Sequence, residues 1–131
     1  IRSITMEVAA NNVIRIPTSL KKFFRYWFEF LKPFHKLTDR EIDVITAFTY
    51  ERYLLSKVIS DSDILDKVVM SEDTKKKVRE ESNITLAHFQ VIMGKLRRNK
   101  VIIDNRINPR FIPNITDENG SFKLMLLFDI Q

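Results

Sequence analysis

The stretch TKKKVREESNITLAHFQVIMGKLRRNKVI, residues 74–102, decides the fold of this chain. Asn83 suits the left-handed position that ends a helix, and Thr85 is a residue type that caps the start of the next one. The apolar positions of the second helix recur at helical spacing and form one inward face: Phe89, Ile92, Met93 and Leu96. The stretch therefore predicts two helices, over 74–82 and 85–99, that are joined by a tight turn.

Upstream, the segment KLTDREIDVITAFTYERYLLSKVI predicts a longer helix over 38–56. Thr38 can cap it, and Glu41 stands near the third helical position, where a capping box needs an acid or amide. Its inward stripe steps at three and four residues: Ile42, Ile45, Phe48, Arg52 and Leu55. The acidic strip DSDILDKVVMSED follows and can hold a short helix over 64–69.

Downstream of residue 99 the apolar pattern changes from the helical period to the period of a strand. KVIID predicts a short strand, TDENGS predicts a turn, and FKLMLLFDI, residues 122–130, predicts a strong strand. We therefore expect a hairpin that pairs 101–103 with a strand inside 122–130. The fold class expected from the whole pattern is mainly α with a small β-hairpin.

The segment TSLKKFFRYWFEFLKPF predicts an amphipathic helix near the N-terminus, which Pro33 ends. Its expected inward stripe is Leu20, Phe23, Phe24, Trp27 and Leu31. Tyr26, Phe28 and Phe30 lie partly off that stripe and exceed what one face of a small domain readily covers. Two interpretations stay open: these rings pack under NNVIRIP, residues 11–17, or they dock on a protein partner or a second copy. Membrane binding fits less well, because the helix carries few cations.

The order of elements, with the phrase VREESNITLAHFQVIMGKLRRNKVI, resembles a winged helix-turn-helix domain over 37–131. The segment 1–36 would then be an additional extended stretch and aromatic helix. RINPRFIP and the acidic strip are similar to small bacteriophage- or plasmid-encoded proteins. The resemblance implies that 85–99 is a recognition helix and that the following hairpin is the wing. Gly94 departs from the pattern, since glycine inside a helix costs up to about 1 kcal/mol.

Duplex DNA is the partner that this resemblance implies, and we expect contacts that are mainly to phosphates. The outward side of the recognition helix offers only Thr85, His88 and Gln90 for base edges, which predicts weak sequence specificity. The predicted DNA-contacting residues are Lys75, Lys76, Lys77, Thr85, His88, Gln90, Lys95, Arg97, Arg98, Lys100, Arg106 and Arg110.

The charge distribution agrees with a polyanionic partner. The net charge is +5, made of +4 over 1–60, −4 over the acidic strip and Thr74, and +5 over 75–131. The acidic strip thus separates two basic regions, an arrangement that suits one face for a polyanion and another turned away from it. A solvated charged surface is the alternative interpretation of the same pattern.

Catalysis and cofactor chemistry find little support in the sequence. The chain has no cysteine, which excludes disulfides and thiol catalysis, and no glycine-rich phosphate loop. His35 and His88 lie beside no suitably spaced acid, and we expect both at the surface. Asp61, Asp63 and Asp66 lack the glycine and terminal Glu of a calcium loop. We expect a non-enzymatic protein with no metal, cofactor or small-molecule substrate.

Two functional hypotheses follow, from different classes. The first is a winged-helix DNA-binding protein of phage type. The second is a structural component of a bacteriophage particle, in which the winged helix is a protein–protein scaffold and the aromatic helix docks to neighbours. With no apolar run long enough to span a membrane, we expect a soluble intracellular protein, in the host cytoplasm or the virion if phage-encoded. The chain opens at Ile1 and its first methionine is Met6, so we expect a trimmed, processed or incomplete start.

Overall fold

A computed structural model describes residues 13–115 and 120–131. These residues form a mainly helical domain with a small antiparallel hairpin, as the sequence predicts. The elements in chain order are α1 (Leu20–Phe30), α2 (Lys32–His35), α3 (Asp39–Ser56), α4 (Ser62–Val69), α5 (Glu72–Glu81), α6 (Leu86–Arg98), β1 (Ile102–Ile103), β2 (Arg106–Ile107) and a 3-10 helix (Pro109–Phe111).

Helix α3 is the central element, and α1, α4, α5 and α6 all pack against it. Thr38 and Glu41 form the predicted capping box at its start, which satisfies two otherwise unpaired backbone N–H groups. Ile42, Ile45 and Phe48 are buried as predicted. The helix also buries Val44, Thr49 and Glu51, which lie off the predicted stripe, because it is surrounded by neighbours rather than packed on one side.

Helix α1 lies on α3 with a face that overlaps most of the predicted stripe. Phe24 packs against the rings of Tyr50 and Tyr53, with ring centroids 5.9 and 5.8 Å apart. Phe28 is fully buried, whereas Leu20, predicted to face inward, remains 38% exposed. Phe24 is buried, and Trp27 and Leu31 pack against the core, as predicted; the stripe was wrong at Leu20 and in leaving out Phe28.

Helix α5 begins earlier than predicted, at Glu72, because Ser71 is its cap: the Ser71 hydroxyl accepts a hydrogen bond from the Thr74 N–H. Thr74 is itself buried and donates its hydroxyl to the carbonyl of Val68 at 2.8 Å. The short helix in the acidic strip is confirmed as α4, which Asp61 caps through the N–H groups of Asp63 and Ile64.

The hairpin forms locally, and the predicted long-range pairing is wrong. Ile102 pairs with Ile107, and Ile103 pairs with Arg106. Asp104 and Asn105 form the two-residue connection with φ values of 53° and 56°. Two consecutive left-handed residues are the requirement of the tight hairpin turn whose twist matches the strands. β1 therefore pairs with residues only three to five positions further along the chain and does not pair with 122–130.

Residues 122–131 form no strand, and beyond Phe122 their side chains are exposed. Phe122 anchors them on α1, with ring centroids 4.9 Å from Phe23 and 5.5 Å from Trp27. The Trp27 indole N–H donates to the carbonyl of Phe111 at 2.8 Å. The side of α1 that faces away from α3 is thus partly covered by the end of the chain. The predicted turn over 116–121 lies largely outside the described residues.

The helices on either side of residue 36 share one apolar core. Phe28 of α1 and Leu37, which follows α2, belong to one apolar cluster with the buried residues of α3, α4, α5 and α6. Arg25 strengthens the same junction by pairing with Asp43 of α3. The aromatic helix is therefore part of the domain that follows it.

Candidate nucleic-acid interface

The turn between α5 and α6 is built from local signals that the sequence shows. Asn83 adopts the predicted left-handed conformation, with φ of 55°. The N–H groups of Asn83 and Ile84 bond back to the carbonyls of Glu80 and Arg79, at 3.1 and 3.4 Å, which is the Schellman pattern. This closure turns the chain sharply and sets the direction in which α6 begins.

Arg40 of α3 holds this turn in place, a role that sequence reasoning missed. Its guanidinium donates to the carbonyl of Ser82 at 2.7 Å and also pairs with Asp43 at 3.1 Å. An arginine near the start of a helix gives no local indication of a partner 42 residues later. The contact fixes the α5–α6 corner against the N-terminal half of α3.

The inward face of α6 is confirmed, and its outward face is more apolar than the predicted contact residues suggest. Phe89, Ile92, Met93 and Leu96 are all buried. On the solvent side, Leu86 and Val91 are 57% and 65% exposed, and Ala87 between them is also exposed. The helix thus presents a small apolar surface near its N-terminal end.

Of the polar residues predicted to read bases, Gln90 lies within that apolar surface and His88 lies beside it. His88 and Gln90 are exposed, on opposite sides of Ala87 and Val91 in a helical projection of about 100° per residue. The Thr85 hydroxyl caps α6 by accepting the His88 N–H at 3.1 Å. Thr85 therefore has a structural role that competes with contact to a base.

Four of the predicted cations are engaged in ion pairs within the domain. Lys77 pairs with Glu51 at 3.1 Å, Lys95 with Glu41 at 3.7 Å, Arg106 with Asp66 at 3.7 Å, and Lys75 with Glu72 at 3.6 Å. The pKa of Lys77 is raised, chiefly by its hydrogen bond to Glu51, whose side chain is only 8% exposed. In each pair the carboxylate offsets the positive charge of the cation and so weakens its attraction to a phosphate.

The other predicted cations have no carboxylate within salt-bridge distance among residues 13–115 and 120–131: Lys76, Arg97, Arg98, Lys100 and Arg110. All five are exposed. Lys76 lies on α5, and the other four form what we call the basic end of α6, defined as Arg97, Arg98, Lys100 and Arg110.

Asn108 joins the two halves of the basic end of α6. Its side-chain amide donates to the carbonyl of Lys100 at 2.9 Å, and its side-chain oxygen accepts the N–H of Arg110 at 3.2 Å. The N–H of Asn108 also donates to the carbonyl of Val101 at 2.8 Å. One asparagine thus holds the end of α6 and the residues after the hairpin side by side, at the base of β1 and β2.

A left-handed residue ends α6 at this place. Lys100 has φ of 59°, and the N–H groups of Lys100 and Val101 bond to the carbonyls of Arg97 and Leu96 at 3.1 and 2.9 Å. This is a second Schellman closure, with lysine where glycine is more common. It brings β1 back against the helix that precedes it and keeps Arg97 and Lys100 close in space.

Two of the three residues predicted to form a partner surface on α1 are exposed. Tyr26 and Phe30 are 43% and 50% exposed, consistent with a contact surface. Phe28 is fully buried between α1 and the rest of the core, so its assignment to that surface was wrong. The N-terminal residues Val13 and Ile14 are themselves more than half exposed.

His35 was expected at the surface, and this expectation was wrong. It is buried, donates from Nε2 to the carbonyl of Phe28 at 2.7 Å, and accepts the Leu37 N–H at Nδ1 at 3.0 Å. Burial lowers the pKa of His35 below its usual value, and the bond to Phe28 only partly offsets that effect. The residue is a neutral element of the core.

The acidic strip has a structural role in the domain. Asp61 caps α4, and Asp66 receives Arg52 at 3.2 Å as well as Arg106. Across the described parts of the chain, no group of three His, Cys, Asp or Glu side chains could hold a metal ion. None of the helices in residues 13–115 or 120–131 is long and apolar enough to cross a membrane.

A pocket of about 450 Å³ lies among α1, α3 and the segment after the hairpin. Its lining includes Phe24, Thr49, Arg52 and Pro113. Arg52, a cation in this lining, is already bonded to Asp66. Arg52 therefore does not offer the pocket a free positive charge that would select an anionic ligand.

Comparison with known proteins does not identify relatives of this chain. No protein-family model matches it, and neither a curated protein nor a solved structure is similar to it.

Proposed function

We propose that the chain is a winged helix-turn-helix protein that binds duplex DNA mainly through phosphates. In this proposal α5 and α6 are the helix-turn-helix, with α6 in the major groove, and β1 and β2 are a short wing. The support is the order of elements and the capped turn between α5 and α6, together with the solvent-exposed front of α6.

The observation that carries the proposal is the basic end of α6. Its four cations are exposed and have no acidic partner within the described residues, while other cations of the same region are paired. A cation that is already paired with a carboxylate gains little binding free energy from a phosphate, because the carboxylate must first be displaced. Unpaired guanidinium groups instead release counterions from DNA directly, and arginine meets phosphate oxygens with two parallel hydrogen bonds.

Sequence specificity should be low. The exposed front of α6 has Leu86, Ala87 and Val91 at its centre, and these side chains offer only apolar contact, such as that with a thymine methyl. The tip of the proposed wing carries Asp104 and Asn105, and the carboxylate of Asp104 repels phosphate. DNA contact should therefore come from the base of the hairpin, where Lys100 and Arg110 lie.

A charge-matched pair of double variants tests the proposal. Arg97→Ala/Arg98→Ala removes two cations of the basic end, and Lys22→Ala/Lys67→Ala removes two exposed cations from α1 and α4. Affinity for a 20–30 base-pair duplex is measured by fluorescence anisotropy over a salt series. If both arginines contact phosphates, the slope of log affinity against log salt should fall by about 1.8 in magnitude, at about 0.9 per contact.

The control variant should keep the slope of the unmodified protein, because the net charge alone does not determine the number of phosphate contacts. Equal slopes for the two double variants would remove the basic end of α6 from the DNA surface. Absence of duplex binding at 50 mM salt by the folded, unmodified protein would reject DNA binding altogether.

The second candidate function is a structural component of an assembly, such as a bacteriophage particle. The observation that favours it is the exposed apolar surface on the proposed recognition helix, formed by Leu86, Ala87 and Val91. Protein partners cover such surfaces more readily than DNA does. Leu86→Gln/Val91→Gln should then abolish assembly while leaving salt-dependent DNA binding unaffected. Loss of DNA binding with unchanged assembly would favour the first candidate.

A further inference from the structure

The segment FKLMLLFDI, residues 122–130, has the sequence of a strand but no strand partner. Its apolar side chains alternate so that one face is entirely apolar: Phe122, Leu124, Leu126, Phe128 and Ile130. No backbone group of 122–131 forms a hydrogen bond with the rest of the described chain. A segment of strand-like sequence with open backbone groups and exposed apolar side chains is a template for pairing with another chain.

The side chains of this segment become more exposed with distance from Phe122, the residue that contacts α1. Phe122 is half-buried against Phe23 and Trp27, whereas Phe128 and Ile130 are 82% and 92% exposed. The anchoring contact holds one end on the domain and directs the remaining residues into solvent. Fully extended, the segment from Phe122 to Ile130 would span about 27 Å at 3.4 Å per residue, enough for a full inter-strand contact.

The sequence of the segment is complementary to itself in one particular alignment. When two copies run antiparallel and are centred on Leu126, Lys123 of each lies opposite Asp129 of the other. In the same alignment Leu124 faces Phe128, and Phe122 faces Ile130. Opposite charges directly across an antiparallel pair are favourable, and the two-fold symmetry repeats this lysine–aspartate pair, so the ribbon contains it twice.

The competing parallel, in-register alignment is disfavoured. It would place Lys123 on Lys123 and Asp129 on Asp129, and like charges directly opposite each other repel. Charge complementarity thus selects both the orientation and the register.

We propose that residues 122–130 pair with the same residues of a second copy, forming an antiparallel two-stranded ribbon about a two-fold axis at Leu126. The ribbon places all ten apolar side chains of the alternating faces on one side. The exposed rings of Tyr26 and Phe30 lie next to Phe23 and Trp27 in the helical projection of α1, and they continue this apolar surface. The proposal is independent of DNA binding.

Disulfide trapping tests the alignment, because the natural chain has no cysteine. Leu126→Cys should form a covalent dimer on mild oxidation, since the two cysteines lie opposite each other. Paired positions have Cα atoms about 4.5 or 5.5 Å apart, and both separations suit a disulfide. Lys123→Cys alone should remain monomeric on a non-reducing gel, because its two copies are about 20 Å apart in this alignment.

A mixture of Lys123→Cys and Asp129→Cys should form the mixed disulfide, identified by mass. Val58→Cys, at a position 80% exposed just after α3, measures accidental cross-linking. Leu126→Cys cross-linking no faster than this control would overturn the ribbon. Self-linking of Lys123→Cys at the rate of Leu126→Cys would replace the antiparallel alignment with a parallel one.

Charge reversal gives a second measurement that needs no oxidation. In the ribbon, Asp129→Lys places a lysine opposite Lys123 of the other copy at both symmetry-related positions. The dimer dissociation constant measured by sedimentation equilibrium should then rise on the order of tenfold. Lys123→Asp/Asp129→Lys restores opposite charges and should restore the dissociation constant. Circular dichroism confirms that both variants keep the helices. A double variant as weak as Asp129→Lys, or an unmodified chain that stays monomeric at 100 micromolar, would contradict the proposal.

Discussion

His35 bonds to Phe28 through its Nε2–H, 2.7 Å from the Phe28 carbonyl oxygen, and this contact closes the corner between α1 and α2. Its Nδ1 accepts the Leu37 N–H, so the imidazole is neutral and has one tautomer. Asn99, the C-cap of α6, donates its amide to the carbonyl of His35 at 2.7 Å. One buried histidine thereby links the first helices to the end of the proposed recognition helix.

The stability of the domain should fall as the pH drops below about 6.5. The unfolded chain binds a proton at His35 near that pH, whereas burial keeps the pKa of His35 lower in the folded domain. Protonation therefore favours the unfolded state between these two pKa values, and the stabilisation is complete above pH 6.5. Urea unfolding at pH 7.5, 6.5 and 5.5 measures the decline.

Two glutamine variants separate this effect from general acid unfolding. His35→Gln should lose about 1–3 kcal/mol at pH 7.5, because the Leu37 N–H is left without its acceptor, and should show a shallower decline with pH. His88→Gln removes the exposed histidine and should retain the decline of the unmodified protein. A steep decline that persists in His35→Gln would assign the pH dependence to other groups.

Phe28 and Phe30 should differ sharply in their effect on stability, although they are two residues apart. Phe28→Ala leaves a cavity in the core and should cost about 3–5 kcal/mol. Phe30→Ser, at a half-exposed position, should change the free energy of unfolding by less than about 1 kcal/mol. Thermal and urea unfolding of the two single variants make the comparison. A small loss of stability in Phe28→Ala would contradict the burial of Phe28 in the core.

Lys77 should contribute to folding as well as carrying charge. Lys77→Met leaves the nearly buried Glu51 carboxylate without its partner, and the cost should be about 1 kcal/mol because the lysine end remains solvated. Lys76→Met removes an exposed, unpaired neighbour and serves as the control. Equal unfolding free energies for both variants at pH 7 would show that the Lys77–Glu51 contact contributes nothing.

Gly94→Ala should stabilise the domain by up to about 1 kcal/mol, because alanine is the better helix former. An added Cβ would meet only the Arg98 Nη1 atom at 3.4 Å, at the movable end of a side chain. The measurement is the melting temperature together with DNA affinity. A variant that melts higher but binds less tightly would show that a ligand approaches the α6 backbone at Gly94. A lower melting temperature would contradict the expected fit of the methyl group.

The local elements could be predicted from the sequence because their causes lie within a few residues. The spacing of Phe89, Ile92, Met93 and Leu96 determines the buried face of α6, and Thr85 and Asn83 are sufficient to mark the ends of the turn before it. The exposed state of Arg97 and Arg98 follows from the same spacing. The same spacing does not predict which cations form ion pairs, because the partner acids Glu41 and Glu51 approach from α3.

By itself, then, the sequence determined the helical character of the chain, the helix–turn–helix order and the inward face of α6, all of which depend on periodicity and capping. Only the tertiary structure decided the environment of Phe28, the burial of His35 and the local pairing of β1 with β2. The α1 aromatics surround the helix on several sides, so their periodicity permits more than one inward face. Contacts with α3 and Phe122 select among these faces, because burial depends on neighbours that are distant in sequence.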